Sequence, residues 1–135
     1  MPSHEYDAKL AMKQLLIIAG GGALGAVLRF WLSGWVYSLL GRDFPYGTLA
    51  VNLLGSLLMG LCFVLFIERL MVGAEWRALI MIGLLGAFTT FSTFSIETLN
   101  LLEDGELVKA LANVFLSVGL CVVATWIGVM AGRQI

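Results

Sequence analysis

The stretch GAFTTFSTFSIE, residues 86–97, places five hydroxyl side chains and one carboxylate inside an otherwise apolar part of the chain. Glycine and β-branched threonine both weaken a helix, and hydroxyl groups can replace the backbone hydrogen bonds that are lost. At membrane depth, non-helical backbone is tolerated only where it meets protein or a water-filled cavity. The stretch therefore predicts a membrane helix that is broken near residues 86–93 and faces the interior of an assembly.

The composition points to the same environment. Hydrophobic residues make up 60% of the 135-residue chain, and charged residues make up 13%. Ordinary soluble domains are about 45–50% apolar and about 25% charged, so this chain has too few charges for a soluble surface. It is interpreted as an integral membrane protein.

The basic residues are scattered, so no nucleic-acid partner is expected. Cys62, Cys121 and His4 form no metal or redox motif.

Four stretches are long enough to cross a bilayer, since a helix needs about 20 mostly apolar residues to span the hydrocarbon. They predict a single four-helix transmembrane domain over residues 1–135, with spans at about residues 15–40, 48–67, 79–102 and 107–131. The apolar part of a signal peptide is only about 7–15 residues long. The first stretch is therefore interpreted as an uncleaved span.

Lysine and arginine in short loops predict the orientation of the spans. Arg29 lies inside the first span and is not counted. Five basic residues fall on the side of the N-terminus and two on the other: Lys9, Lys13, Arg69, Arg77 and Arg133 against Arg42 and Lys109. This distribution favours an N-terminus in the cytoplasm.

Polar and small residues recur every four positions, so that they share one face of each helix. The stripes are Gly21, Gly25, Arg29 and Ser33 in the first span, Thr48, Asn52, Ser56 and Gly60 in the second, and Asn113, Ser117, Cys121 and Thr125 in the fourth. Two interpretations stay open for the polar members, because hydroxyl and small residues also mediate plain helix packing in membranes. For the glycines, close helix contact is the better interpretation. A dinucleotide site at GGGALG, residues 20–25, would need alternating strands and helices, which the chain lacks.

A broken third span has electrostatic consequences. The first half-helix would end in free carbonyls, which suit a cation, and the second would begin with free N–H groups, which suit an anion. Phe91 and Phe94 share a face there, and the positive edges of their rings can coordinate an anion, although core packing is the ordinary role of such a pair. Arg29 and Glu97 are the ionisable residues inside spans, and such residues are functional candidates.

Three motifs resemble the Fluc (CrcB) family of fluoride channels: TTFSTFSIE at residues 89–97, GTLAVNLLGS at 47–56 and GALGAVLRF at 22–30. The resemblance extends over nearly the whole chain. It implies an antiparallel, dual-topology homodimer of four-helix subunits in the bacterial inner (plasma) membrane. It also implies a pair of pores that passively export cytoplasmic fluoride. Antiparallel assembly calls for little charge bias, so the five-to-two bias is a departure that this chain is expected to tolerate.

The resemblance also implies roles for individual residues. Those implied to line the pore or meet fluoride are Asn52, Phe91, Phe94, Ser92, Thr93, Ser117, Glu97 and Arg29. The backbone carbonyls of Gly86 and Thr89 are implied to hold a structural sodium ion where the two breaks meet at the dimer axis, and no organic cofactor is implied. Some family members have a tyrosine near the start of the fourth helix, where this chain has Asn113.

Other functions remain alternatives. A small multidrug-type proton-coupled exporter is also a four-span dimer, but it needs a membrane-embedded carboxylate, for which Glu97 is the candidate. A non-conducting membrane scaffold would use the polar stripes for packing alone. An enzyme is the least favoured class, because the spans contain no Ser–His, Cys–His or paired acidic constellation.

Overall fold

The computed structural model describes residues 3–135, and every regular element in that range is helical. Helix α1 is Ser3–Leu40, a single helix of 38 residues. Helix α2 is Tyr46–Glu68, and its last part, Phe63–Glu68, is π-helical. Gly41 turns the chain between these two helices with a φ of 83°, a left-handed conformation that glycine adopts without steric cost.

The next helical segment, Ala74–Glu103, contains two helices in succession. Helix α3 covers residues 74–88 and has three successive parts, which are Ala74–Arg77, the π-helical Ala78–Leu85, and Gly86–Phe88. Helix α4 is Phe91–Glu103, and helix α5 is Leu107–Gln134. Between α3 and α4, Thr89 and Thr90 have extended dihedral angles, with ψ values of 156° and 121°.

Four helical segments are long and apolar enough to cross a membrane: Ser3–Leu40, Tyr46–Glu68, Ala74–Glu103 and Leu107–Gln134. This confirms the predicted all-helical class with four helices of spanning length, as in a multi-pass membrane protein. The helices extend past the predicted spans, most clearly in α1, which begins at Ser3. A helix can continue beyond the hydrocarbon, so the ends of the helices do not test the predicted limits of the spans. Those limits stay predictions.

Helix α2 packs most extensively against α5, and glycines allow the two backbones to touch. A Cβ atom on Gly60 would collide with the carbonyl oxygen of Thr125, and one on Gly128 would collide with the carbonyl oxygen of Leu57. Small residues let membrane helices approach in this way, which favours association by van der Waals contact. This contact fixes the position of α5 beside the polar stripe of α2.

Helix α1 packs against the π-helical part of α3. Added Cβ atoms on Gly21 and Gly25 would collide with the carbonyl oxygens of Leu79 and Leu84. The glycines of the first stripe therefore serve close helix contact, as the sequence interpretation favoured. Because α1 holds the segment that leads into residues 89–90, this contact also positions the junction of α3 and α4.

The single chain leaves many large apolar side chains uncovered. Phe30 is 82% exposed, Phe115 is 72% exposed and Phe91 is 78% exposed. Buried polar side chains are few, and they lie on two helices: Thr48 on α2, and Asn113 and Ser117 on α5. The chain thus has an apolar outside and polar groups between its helices, which suits a lipid surrounding.

Candidate functional site

A cavity of about 410 Å³ opens between α2, the junction of α3 and α4, and α5. We refer to this cavity as the groove. The polar residues that line it are Asn52, Ser56, Thr89, Thr90, Ser117 and Thr125. Its apolar lining includes Phe91 and Phe94. The groove therefore combines neutral hydrogen-bonding groups with two aromatic rings, and the residues that line it include no charged side chain in the described part of the chain.

Asn52 is bonded to the backbone of Thr90 by both ends of its side-chain amide. Its Nδ2 donates to the Thr90 carbonyl oxygen at 3.0 Å, and its Oδ1 accepts from the Thr90 N–H at 2.7 Å. A side-chain amide has two N–H donors, so one Nδ2 hydrogen is left over. Asn52 thus replaces the hydrogen bonds that Thr90 loses by leaving the helical conformation.

Thr90 is also the N-cap of α4. Its Oγ1 accepts from the Thr93 N–H at 3.2 Å, as threonine commonly does at this position. The first N–H groups of a helix have no partner within the helix and carry its positive dipole end. Because Thr90 and Phe91 line the groove, the N-terminus of α4 lies at the groove. The arrangement places the positive end of a helix dipole at the groove without a fixed positive charge.

Phe91 and Phe94 have different surroundings in the single chain. Their ring centroids are 5.4 Å apart and their planes are inclined by 46°. Phe94 is 9% exposed, whereas Phe91 is 78% exposed. Both rings line the groove, but Phe94 is buried by the rest of the chain and Phe91 is exposed.

The polar stripe of α5 divides into two parts. Ser117, Cys121 and Thr125 line the groove. Asn113 is 1% exposed and lies outside the groove lining; its Nδ2 donates to Thr98 Oγ1 at 2.9 Å. Its Oδ1 accepts from Ser117 Oγ at 3.3 Å. Asn113 therefore connects α5 to α4 and orients a groove residue.

Glu97 lies in a second cavity of about 190 Å³, which we refer to as the vestibule. The vestibule is lined by Tyr37, Arg42, Asp43, Pro45, Glu97, Asn100, Leu101 and Asp104. The carboxylate of Glu97 accepts from Tyr37 Oη at 2.6 Å, and its other oxygen accepts from Thr48 Oγ1. Glu97 therefore belongs to a small polar network that it shares with two hydroxyl groups from other helices.

Arg29 is not joined to Glu97. Its Nε is buried and has no hydrogen-bond partner in the described part of the chain. The ion pairs among residues 3–135 also do not include a pair between Arg29 and Glu97. Arg29 stays half-buried on α1, one helical turn before Ser33, whose hydroxyl donates to the Arg29 carbonyl at 2.6 Å.

The structure brings together half of the residues expected at the site. Asn52, Thr89, Phe91, Phe94 and Ser117 line the groove, whereas Gly86, Ser92, Thr93, Glu97 and Arg29 do not. Their roles in ion transport stay predictions. Sequence reasoning missed Tyr37. The signal was present, because Tyr37 follows Ser33 by four residues and so continues the stripe of the first span.

The four spanning helices and the groove between them define the chain as a multi-pass membrane protein with a partly enclosed polar cavity. The chain belongs to the CrcB family: it matches the family described as "CrcB-like protein, Camphor Resistance (CrcB)" over residues 16–129.

Curated relatives agree with this membership. The chain is 57% identical over 122 residues to "Fluoride-specific ion channel FluC" of Magnetococcus marinus, covering 90% of this chain and 99% of that protein. It is 52% identical over 125 residues to the protein of the same name from Coxiella burnetii (strain Dugway 5J108-111), covering 92% and 100% of the two chains. A relative of the same name from Methylococcus capsulatus is 54% identical over 121 residues, but the chain spans only 53% of its length. The names make this a family of ion channels and not of enzymes.

Proposed function

We propose that this chain is a passive fluoride-selective ion channel that exports cytoplasmic fluoride through pores formed in a homodimer. The observation that carries the proposal is the 50–57% identity, over 90–92% of the chain, to proteins named fluoride-specific ion channels. The neutral, polar groove is consistent with such a channel.

The groove offers an anion several weak partners in sequence. The N-terminus of α4 supplies its dipole, Asn52 retains one N–H donor, and Phe91 and Phe94 supply ring edges. Ser117 and Thr125 continue the polar lining on α5; their hydroxyls donate to Asn113 Oδ1 and to the Cys121 carbonyl, so each must rotate before it can donate to an anion. Weak binding at several sites suits conduction, because an ion must leave each site as readily as it enters. Ser92 and Thr93, which lie outside the groove of the single chain, remain proposed pore residues.

A second copy of the chain is proposed to close the groove. Phe91 is 78% exposed, and Gly86 and Ser92 are exposed beside the extended residues 89–90. Lipid cannot satisfy the polar groups of such a junction, whereas protein can. We propose that the helix break lies at mid-membrane and that two subunits cover their breaks against each other. The antiparallel arrangement, the bacterial inner membrane and the tolerance of the five-to-two charge bias belong to the same proposal.

The chemistry of the break fits the proposed sodium ion. In a continuous helix the Gly86 carbonyl would accept from the Thr90 N–H, and the Thr89 carbonyl would accept from the Thr93 N–H. In this chain those donors go to Asn52 Oδ1 and to Thr90 Oγ1 instead. Gly86 and Thr89 would therefore hold the ion through carbonyl oxygens that lack these helical partners. Bound sodium would supply a positive charge that holds the two breaks together.

The alternative exporter is less well supported. Proton-coupled exchange needs a carboxylate in the substrate path, and the residues that line the groove within 3–135 include none. Glu97 lies in the vestibule, with its two oxygens bonded to Tyr37 and Thr48. The structure thus offers this function no specific support.

Fluoride efflux from liposomes tests the proposal. The purified protein is reconstituted with fluoride inside the vesicles, and release is followed with a fluoride electrode after a potassium ionophore clamps the voltage. We expect fast fluoride release and much slower chloride release from matched vesicles. Folded dimeric protein that releases neither ion, or releases chloride as fast as fluoride, would refute the proposal. A dependence of fluoride release on a proton gradient would support the exporter instead.

A further inference from the structure

We infer that Tyr37 is a positioning residue that holds the Glu97 carboxylate in the vestibule and away from the groove. The inference rests on the proposed function, because it concerns an anion moving past Glu97. The observations that carry it are the hydrogen bonds of Glu97, the packing of the Tyr37 ring and the separation of the two cavities.

The carboxylate is held from two other helices. Tyr37 on α1 donates to one oxygen at 2.6 Å, and Thr48 on α2 donates to the other. The two hydroxyl oxygens are themselves 3.3 Å apart. Glu97 is on α4, so the three residues join three helices at one point. Hydrogen bonds to an ionised group are the stronger kind, and a carboxylate with both oxygens engaged has little freedom to turn.

The ring of Tyr37 is itself fixed. The guanidinium carbon of Arg42 lies 4.6 Å from the ring centroid, within the range of a cation–π contact. On α2, Gly47 makes room for the ring, because a Cβ atom there would collide with it. Gly47 therefore leaves space for the Tyr37 ring, and Thr48 lies next to the Tyr37 hydroxyl. A fixed ring gives its hydroxyl a defined direction toward Glu97.

The position of Glu97 matters because it follows a groove residue by one turn. Phe94 lines the groove, and Glu97 comes three residues later on the same helix, so the two side chains are neighbours on one face. Glu97 nevertheless lines the vestibule and not the groove. A carboxylate released from its hydroxyl partners could turn toward Phe94, where its charge would repel an anion. Tyr37 opposes this movement together with Thr48, and it holds the carboxylate oxygen that Thr48 does not.

The experiment compares fluoride efflux in a double-mutant cycle of Tyr37→Phe and Glu97→Gln. Tyr37→Phe removes the hydroxyl and keeps the ring under Arg42. We expect it to lower the initial efflux rate by about tenfold, the scale of losing a hydrogen bond to a charged group. In the Glu97→Gln background the same change should alter the rate by less than about twofold, since the released side chain carries no charge. Tyr46→Phe is the matched control and should leave efflux unchanged.

A second measurement does not depend on flux. The infrared carboxylate band that Glu97→Gln removes is assigned to Glu97, and it should shift in Tyr37→Phe but not in Tyr46→Phe. An unmoved band, unchanged efflux in Tyr37→Phe, or equal losses in both backgrounds would overturn the role of Tyr37. Absence of fluoride efflux from the wild-type protein would instead refute the proposed function, and this role with it.

Discussion

Asn52 and Thr90 are hydrogen-bonded to each other in both directions, the side-chain amide of one against the peptide groups of the other. Asn52 lies on α2 and Thr90 lies between α3 and α4, so the pair fixes the junction of the third span to a neighbouring helix. The same pair lines the groove. The geometry of the groove therefore depends on the hydrogen bonds that the Asn52 side chain makes with the Thr90 N–H and carbonyl.

Replacing Asn52 tests this dependence. Asn52→Asp keeps an acceptor for the Thr90 N–H but loses the donor to its carbonyl, and Asn52→Ala loses both. The Thr90 groups are only partly buried, so each one left unsatisfied costs at most about 1–3 kcal/mol. We expect fluoride efflux to fall by more than about tenfold in both variants, with the lower melting temperature in Asn52→Ala. Leu54→Ala, an exposed change on the same helix, is the control. Wild-type efflux in Asn52→Ala would contradict the role.

The N-cap of Thr90 gives a prediction about sodium. Thr90→Val keeps the shape of the side chain but removes the acceptor of the Thr93 N–H. That N–H then becomes available to the Thr89 carbonyl, which would weaken the proposed sodium site. The stabilisation by sodium is measured as the rise in melting temperature when sodium replaces N-methylglucamine in the buffer. We expect this rise to be largely lost in Thr90→Val and kept in Thr90→Ser. Equal sodium effects in the two variants would argue against the site.

The contact of α2 with α5 predicts a selective effect of glycine replacement. A Cβ on Gly128 would collide with the carbonyl oxygen of Leu57, whereas one on Gly119 would meet nothing within 4 Å. Gly128→Ala should therefore lower the melting temperature in detergent by several degrees, because the helices must separate, and Gly119→Ala should not. Equal melting temperatures in the two variants would contradict this prediction, because they would mean that α2 and α5 can separate without a loss of stability.

The two phenylalanines of the groove should separate subunit stability from conduction. Phe94 is 9% exposed and Phe91 is 78% exposed. Phe94→Ala should destabilise the protein by about 3 kcal/mol, the scale of a buried phenylalanine, and should also lower fluoride efflux. Phe91→Ala should lower efflux with a much smaller loss of stability per subunit. Phe30→Ala, on an 82% exposed residue of α1, should change neither. Wild-type fluoride efflux in Phe91→Ala would contradict the assignment.

Much of the fold could be predicted because the bilayer sets the length of the apolar stretches. Four stretches of about 20 residues became four helices of spanning length. The helix limits could not be predicted in the same way. Residues 3–14 are polar enough to lie outside the hydrocarbon, yet they continue α1, since a helix can extend into water once it is nucleated. The π-helical Ala78–Leu85 was also missed, because periodicity assumes α-helical spacing throughout.

The site could be predicted in part. Four-residue spacing identified Asn52 and Ser117, which the structure places in one groove. Spacing assigns residues to a face of one helix, but it does not say which faces meet. The bonds of Glu97 to Tyr37 and Thr48 cross three helices, and the bond of Asn52 to Thr90 depends on backbone that has left the helical conformation. Such contacts follow from packing, which local sequence does not specify.

The length of α1 supplies a marker of orientation. At the usual helical rise its 38 residues measure about 57 Å, against a hydrocarbon thickness of about 30 Å. A rod of roughly 18 Å, residues 3–14, therefore stands clear of the predicted span at the N-terminal end. If two subunits are inserted in opposite orientations, one such helical extension protrudes from each face of the membrane. If the subunits are parallel, both extensions protrude from the same face. Electron microscopy of the protein in nanodiscs can distinguish extensions on both faces from two extensions on one face.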